Sequence, residues 1–290
     1  MSLQRRFARL IALARKRRFP LRPDFPPGFR ISTPILDSLS DHDLRSLNEL
    51  LDWNCYLLDG RGRRFGNIAR PGKRMAPERI PDRRIVLLDE RFGLKERDVL
   101  EFGCFEGIHT AGLCALGARV TAIDARVDHV VKTIVRCSLL GHSPAVFTCN
   151  LEHPADCQRL PTAELLHHVG VLYHLADPVT HLRNLHRWAT VGVMLDTHYA
   201  EQGAATGTYV VDGEAYPCLV YREAGAREAF SGMRAYSRWL TLDVIIGLLA
   251  DSGFADVEVV ERRAERNGPR ALLFARRAPG QPGSDVQSSA

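Results

Sequence analysis

No apolar run in this 290-residue sequence approaches the roughly 20 residues that a membrane-spanning helix requires, so no helical span is expected. No C-x-x-C pair occurs among the seven cysteines Cys55, Cys104, Cys114, Cys137, Cys149, Cys157 and Cys218. That removes the usual thiolate grip on zinc, and their odd number and scatter predict reduced, mostly buried thiols. H-E-x-x-H is also missing, and the eleven histidines are dispersed. We therefore expect no metal, and read histidines at strand ends as substrate contacts instead. Internal repeats are lacking, and low complexity is confined to residues 279–290, an expected disordered tail. The start, MSLQRRFARLIALARKRRFP, carries arginines inside its apolar stretch and no small-residue cleavage site, unlike a secretory signal. A cytoplasmic location is expected, with peripheral membrane contact through residues 1–18 as a variant of it.

What is present is ordinary in amount, with 45% apolar and 25% charged residues, but uneven in placement. Residues 1–30 hold nine Arg or Lys against Asp24 alone, so this arm carries +8 and the remainder is net −3 within a total of +5. Such an arm touches phosphate, in nucleic acid or at a lipid surface, or is simply a solvated helix face.

Residues 3–18 space their apolar side chains for an amphipathic helix, and the proline-rich run after Phe19 breaks it, giving a basic helical arm and linker over 1–30. Residues 31–82 read as a helical and loop lid region, with a helix at 41–51 capped by Ser40 or Asp41 and a Gly- and Arg-rich loop at 60–74. From 83 to 278 strands and helices alternate. Strands are expected near 98–102, 119–124, 145–148, 165–171, 191–196, 256–261 and 270–275, with helices at 108–116, 127–140, 178–189 and 241–252. The implied fold is α/β: a doubly wound, mostly parallel seven-stranded sheet closing in an antiparallel edge hairpin, with an insertion at 201–238.

Residues 99–125, VLEFGCFEGIHTAGLCALGARVTAIDA, carry the central signal. A buried strand enters a turn with Gly103 and Gly107 and then a helix, so backbone N–H groups face the crevice at the carboxyl end of the sheet. Asp124 closes the next strand, where a carboxylate accepts hydrogen bonds from both hydroxyls of a ribose. Glu101 sets a second acid beneath the turn. A pyrophosphate so close to Glu101 would be repelled, whereas the sulfonium and ammonium of S-adenosylmethionine are attracted. The expected cofactor seat is Glu101, Gly103, Cys104, Phe105, Gly107, Asp124 and Ala125, with Asn150 and Leu151 after the third strand. Asn150 is there for either an adenine contact or an Asx turn.

LEFGCFEGIHTAGL with TAIDA resembles motifs I and II of class I S-adenosylmethionine-dependent methyltransferases. GVLYHLADPVTHLRNL is similar to the GVLYH-x-x-x-P-x-x-HL element of the tRNA wobble-uridine carboxymethyltransferase family, and the similarity continues through MRAYSRWL, GLLADSGFADVEV and PRALLFARR. It covers about residues 83–276. The resemblance implies that Glu101, Gly103, Gly107 and Asp124 hold the cofactor, that Tyr173 lies beside its sulfonium, and that Arg270 corresponds to an arginine gripping the carboxylate of a carboxylated cofactor. Two departures matter. Phe105 replaces the middle glycine, in a form closer to methyltransferases encoded with glycan and natural-product pathways, and only Trp53 and Lys73 are candidates for the family's tryptophan and lysine contacts. Both favour ordinary methyl transfer.

The acceptor is expected to be a small molecule or a sugar unit of a glycan, methylated on oxygen, with RNA as the alternative partner and a non-catalytic cofactor-binding subunit as a third reading. His174 is the first candidate base and His198 the second, because each follows a strand whose carboxyl end faces the crevice. Tyr209, Arg222, Arg234 and Trp239 of the insertion region, with Arg270, are the candidate acceptor contacts. The aromatic residues of the insertion serve equally well as a small core of its own.

Overall fold

The computed structural model describes residues 19–68 and 76–278. The expected arm helix at 3–18, part of the loop at 60–74 and the tail at 279–290 lie outside the described residues. Strand β1 (Arg30–Ile31) leads to helix α1 (Pro34–Ser38) and helix α2 (Asp41–Leu50). Ser40 is the α2 cap, its Oγ accepting the Asp43 N–H at 3.1 Å. Strands β2 (Tyr56–Asp59) and β3 (Arg64–Gly66) follow, and the three strands form a small sheet in the order β1-β2-β3.

That hairpin differs from the loop expected at 60–74. Arginine content suggested solvation, but Arg63 is buried with its Nε 2.8 Å from Asp59 Oδ2, and the Arg64 guanidinium lies 3.5 Å from the centre of the Tyr56 ring. Paired and stacked guanidinium groups tolerate burial that isolated ones do not.

The main domain begins with α3 (Arg83–Phe92) and continues as β4 (Asp98–Phe102), α4 (Ile108–Ala115), β5 (Arg119–Asp124), α5 (Val127–Leu139), β6 (Ala145–Thr148), α6 (Pro154–Cys157) and β7 (Ala163–Val169). After α7 (Pro178–Arg183) and β8 (Ala189–His198), the chain makes β9 (Gly207–Val211), β10 (Glu214–Arg222) and β11 (Tyr236–Leu240), then α8 (Leu242–Asp251), β12 (Phe254–Glu265) and β13 (Gly268–Arg277). The large sheet has the order β12-β13-β8-β7-β4-β5-β6. Five strands from β8 to β6 are mutually parallel, and β13 runs antiparallel to both of its neighbours. The expected fold class is thus observed.

Apolar runs such as Val99-Leu100 and Leu165-Leu166 are buried, as central strands covered on both faces require. Because β5 lies to one side of β4 and β7 to the other, the chain reverses its winding there and opens a crevice at the carboxyl ends. The expected helix at 178–189 is shorter. It stops at Arg183, Asn184 Nδ2 folds back to Thr180 O at 2.7 Å, and a single 3-10 turn at Leu185–Arg187 delivers the chain to β8. The longer β8 places His198 inside the sheet rather than beyond it.

The insertion is a three-stranded antiparallel sheet, β11-β10-β9, whose last strand runs to Leu240, beyond the expected limit at 238. It exposes Val210, Val220 and Tyr236, while Cys218, Trp239 and Leu240 are buried. Among the described residues no helix is long and apolar enough to cross a membrane.

One buried carboxylate joins the small N-terminal sheet to the main domain. Glu106 accepts the Asn54 N–H (2.8 Å), Asn54 Nδ2 (2.9 Å) and the Cys55 N–H (3.1 Å), and faces Lys132 Nζ at 3.2 Å and Arg136 at 3.5 Å. The Arg136 guanidinium lies 4.6 Å from the Trp53 ring and 5.1 Å from Phe65. Burial alone would raise the Glu106 carboxyl, but Arg136, Lys132 and these donors hold it below its ordinary 4.5. Glu106→Gln leaves the buried Arg136 without its counter-charge and Lys132 with Asp128 alone, so urea unfolding is expected to show a loss of about 3–5 kcal/mol. The contribution of Glu106 is complete above its ordinary value and is lost as pH falls through the depressed one, so the difference between wild type and variant narrows in acid.

Candidate functional site

The turn after β4 is built by three residues with left-handed backbone: Gly103 (φ 73°), Phe105 (φ 52°) and Gly107 (φ 77°). A Cβ at Gly103 would lie 2.4 Å from Val171 Cγ2, so only glycine lets the turn approach the segment after β7 this closely. At Gly107 a Cβ would meet Thr133 Cα at 3.0 Å. Gly107 therefore seats α4 against α5 and does not line the cavity, contrary to its expected place in the cofactor seat. Phe105 turns its N–H to Asp124 Oδ2 at 3.1 Å, and the Arg126 N–H donates to Asp124 Oδ1 at 2.9 Å. The Phe105 ring packs against His129 (4.9 Å) and Phe230 (5.2 Å).

Above this turn a cavity of about 780 Å³ opens at the carboxyl ends of the strands. It brings together Glu101, Gly103, Cys104, Phe105, Asp124, Ala125, Asn150, Leu151, Tyr173, His174, Arg222, Trp239 and Arg270 from the residues expected at the site. Glu101 is buried at its floor and accepts the Thr110 hydroxyl at 2.6 Å. Burial, with a smaller contribution from Asp124 and against the Thr110 hydrogen bond, pushes its carboxyl up to about 8. A protonated acid near neutral pH is thus poised to ionise when a cation arrives. Cys104 is buried with its thiol pushed up by desolvation, which makes it an inert wall rather than a nucleophile. Asn150 lines the cavity, while its Oδ1 closes a turn by accepting the Glu152 N–H at 3.1 Å.

Glu101, His109 and His167 offer ligand atoms within 4.8 Å of one another. However, Arg84 places its guanidinium 2.9 Å from His109 Nε2. A fixed cation already occupies the neighbourhood that a metal ion would need, and burial holds His167 down at about 3 and hence neutral.

Across the cavity, His174 ends a 3-10 turn (Leu172–His174) after β7, and its Nδ1 lies 2.8 Å from Glu223 Oε1. Glu223 also accepts Ser237 Oγ (2.8 Å), Ser231 Oγ (2.6 Å) and the Gly232 N–H (2.9 Å). Burial works against ionisation, but His174, Ser231 and Gly232 together hold its carboxyl down at about 2. An ionised carboxylate only accepts, so the His174 nitrogen facing Glu223, Nδ1, carries a proton.

His198, the second candidate, is placed differently. As the last residue of β8 it is buried and stacked on Trp239 (4.9 Å, 11°), with Nδ1 3.1 Å from Pro269 O, and it does not line the cavity. Arg270 does line it, but its Nε is bound to Asp196, which is also held by Arg263 (2.9 Å) and Arg84 (3.3 Å). Tyr209 and Arg234 lie outside the cavity. Tyr209 packs on the core with the Arg238 guanidinium 4.2 Å above its ring, and Arg234 is largely exposed, 3.9 Å from Glu152.

Four participants escaped the sequence reading: Arg84, Arg126, Glu223 and Phe230. Arg126 has a local signal, since it follows the strand-end acid by two residues. Its Nε donates to Ala226 O (3.2 Å) and its NH2 group reaches Gly225 O (3.4 Å), Glu228 O (2.9 Å) and Ser231 O (2.7 Å). One guanidinium thereby pins the segment 224–233, which covers the cavity beside Phe105.

No protein-family model matches the chain. A tRNA U34 carboxymethyltransferase of Actinobacillus pleuropneumoniae serotype 3 is 27% identical over 170 residues, 58% of this chain and 48% of that protein. Another, of Alteromonas mediterranea, is 29% identical over 178 residues, 58% of this chain and 48% of its own length. The chain thus spans about half the length of the curated relatives it matches. Among solved structures, the N-terminal domain of EvdMO1 with SAH bound superposes with a TM-score of 0.69 at 22% identity, over 83% of this chain and 98% of that one. The same domain in the presence of SAH and D-fucose gives a TM-score of 0.68. With the strand order above, these likenesses bear out the class I methyltransferase fold.

Replacing Arg126 with alanine removes the bonds that hold residues 224–233, each worth about 1 kcal/mol. Trypsin is expected to cut at Arg227 at least about tenfold faster in Arg126→Ala than in wild type, as local opening becomes cheaper. Equal cleavage rates would show that the segment is held by something else.

Proposed function

We propose that this chain is an S-adenosylmethionine-dependent methyltransferase acting in the cytoplasm on a hydroxyl oxygen of a small molecule or of a sugar unit of a glycan. The observation that carries the proposal is one cavity with Glu101, Gly103 and Asp124 on one wall and His174 on the other. The seat suits the cofactor's charge. Glu101 is a buried acid awaiting a cation, Gly103 brings the turn's backbone to the cavity wall, and Asp124 presents a carboxylate at the strand end. When bound, S-adenosylmethionine supplies an electrophilic methyl group on a sulfonium whose sulfur keeps the bonding pair on transfer.

The chain's own groups do the rest. Glu101 meets the positive charge, Asp124 takes the ribose hydroxyls on the lone pairs that its two backbone donors leave free, and Tyr173 borders the reacting end. His174 Nε2 accepts the acceptor's hydroxyl proton, and Glu223 keeps that proton-bearing ring in register through Nδ1. Base assistance of this kind is worth about 10²–10⁴-fold, and alignment of donor and acceptor supplies a larger share.

Transfer to a tRNA wobble uridine is the second reading, supported by the names of the curated relatives and the basic arm. Arg270, on which a carboxylated cofactor would rest, has its Nε engaged by Asp196. This favours the plain methyl donor.

Calorimetry with S-adenosylhomocysteine tests the seat. Asp124→Ala is expected to weaken binding by about 1.5–3 kcal/mol, the scale of charge-assisted hydrogen bonds. The ammonium of the ligand lowers the Glu101 carboxyl from about 8, so binding near pH 7 releases a proton and affinity rises with pH until it levels off above that value. Glu101→Gln abolishes the proton release. With labelled methyl donor and an acceptor found in a metabolite extract, His174→Ala is expected to slow single-turnover transfer by about 10²-fold or more while sparing cofactor affinity. A near-normal rate would contradict the histidine mechanism.

A further inference from the structure

Five arginines line the cavity: Arg84, Arg126, Arg222, Arg266 and Arg270. Three are committed. Arg84 pairs with Asp82 at 2.8 Å and with Asp196, Arg126 is bound to the carbonyls of the covering segment, and Arg270 is bound to Asp196. Arg222 and Arg266 are different. Both are exposed at the cavity's rim, and among the described residues neither guanidinium has a hydrogen-bond or ion-pair partner.

The fold brings these two cations to one place. Arg222 ends β10 directly after Tyr221, whose ring stacks on Trp239 at 4.6 Å and 14°. Arg266 lies in the tight turn between β12 and β13, and that turn abuts the same indole, since a Cβ at Gly268 would lie 3.0 Å from Trp239 Cζ3. Asn267 of the turn also lines the cavity. Two unpaired cations thus flank an aromatic stack. The acids that line the cavity on the cofactor side, Glu101, Asp124 and Glu152, come from β4, β5 and the segment after β6, on the other side of β7 from β13 in the sheet. Glu223 and Glu228 line the cavity as well, but Glu223 is taken up by His174, Ser231, Ser237 and Gly232, so Arg222 and Arg266 are the rim cations left for an acceptor.

Resting on the methyltransferase reading above, we infer that the acceptor is a small ring compound bearing an anionic group, a carboxylate or a phosphate ester. Arg222 and Arg266 take that group at the rim while the ring packs beside Tyr221 and Trp239. Planar guanidinium pairs are suited to both anions, and unpaired arginines keep their full donor capacity for a ligand. A polymer of phosphates fits the described surface less well. Residues 31–290 are net −3, whereas a nucleic-acid surface needs a spread of cations that neutralises many phosphates. An anion in this position also draws the acceptor toward the sulfonium by simple attraction.

The test uses the full chain loaded with S-adenosylhomocysteine, and titrates phenyl phosphate, benzoate and the neutral benzamide by calorimetry. At least one anion is expected to bind about tenfold or more tightly than benzamide, the scale of charge-assisted contacts. The two anionic probes distinguish a phosphate site from a carboxylate site. The double variant Arg222→Gln/Arg266→Gln is expected to lose that preference with cofactor affinity unchanged, while Arg262→Gln, an exposed arginine of β12 outside the cavity, keeps it. Equal binding of anions and benzamide overturns the inference, as does an anion preference that survives in the double variant. Displacement of the probe by unfractionated tRNA, with tRNA binding lost in the double variant, overturns it in favour of an RNA surface. Should wild type bind the anions but not S-adenosylhomocysteine, the cofactor reading falls, and this inference falls with it.

Discussion

The carboxylate of Asp124 is the junction on which the site depends. At the end of β5 it accepts N–H groups from Phe105 on one side and Arg126 on the other. Phe105 is thereby fixed in a left-handed conformation that presents its ring to Phe230, and Arg126 is positioned to hold four carbonyls of the covering segment. Glu223, directly before that segment, meets His174 and accepts the hydroxyl of Ser231 from within it. A chain of hydrogen bonds and ring contacts therefore runs from the cofactor seat to the proposed base. Such linked polar groups are strong only when every member is satisfied, as Glu223 is here with four partners.

Electrostatic division organises the remainder of the crevice. Glu101 is buried with no cationic partner among the described residues and stays protonated near neutral pH, whereas Asp196, equally buried, is surrounded by Arg270, Arg84 and Arg263, which lower its carboxyl against the effect of burial. Two buried carboxyl groups of one sheet, on β4 and β8 with β7 between them, thus have different charge states because of their neighbours. The acid without a cationic partner is the one at the proposed cofactor seat, and the acid with three partners draws three arginines together at β8.

Much of this was legible in the sequence because it rests on local rules. The apolar runs of β4, β5 and β7, the turn glycines and the strand-end acid of β5 lie within short stretches whose geometry follows from chain chemistry. What escaped depends on distant pairing. Arg63 and Arg64 looked like solvated loop residues until Asp59 and Tyr56 covered them. His198 looked like a base at a strand end, but the extra length of β8 carried it under Trp239. Glu223 lies 49 residues from His174, and nothing in its neighbours announces the contact. Gly107 carried the motif's spacing, yet its missing side chain serves helix packing against Thr133 rather than the ligand.

The central claim is that cofactor seat and base form one connected unit, and amide hydrogen exchange with and without S-adenosylhomocysteine measures it most directly. Ligand is expected to slow exchange in residues 103–107 and 124–126 and, together with them, in the covering segment 223–233, because the same hydrogen bonds join them. Protection confined to 103–126 would show that the covering segment and its glutamate are independent of the seat. Protection absent from 103–126 altogether would contradict the assignment of the cofactor to this turn.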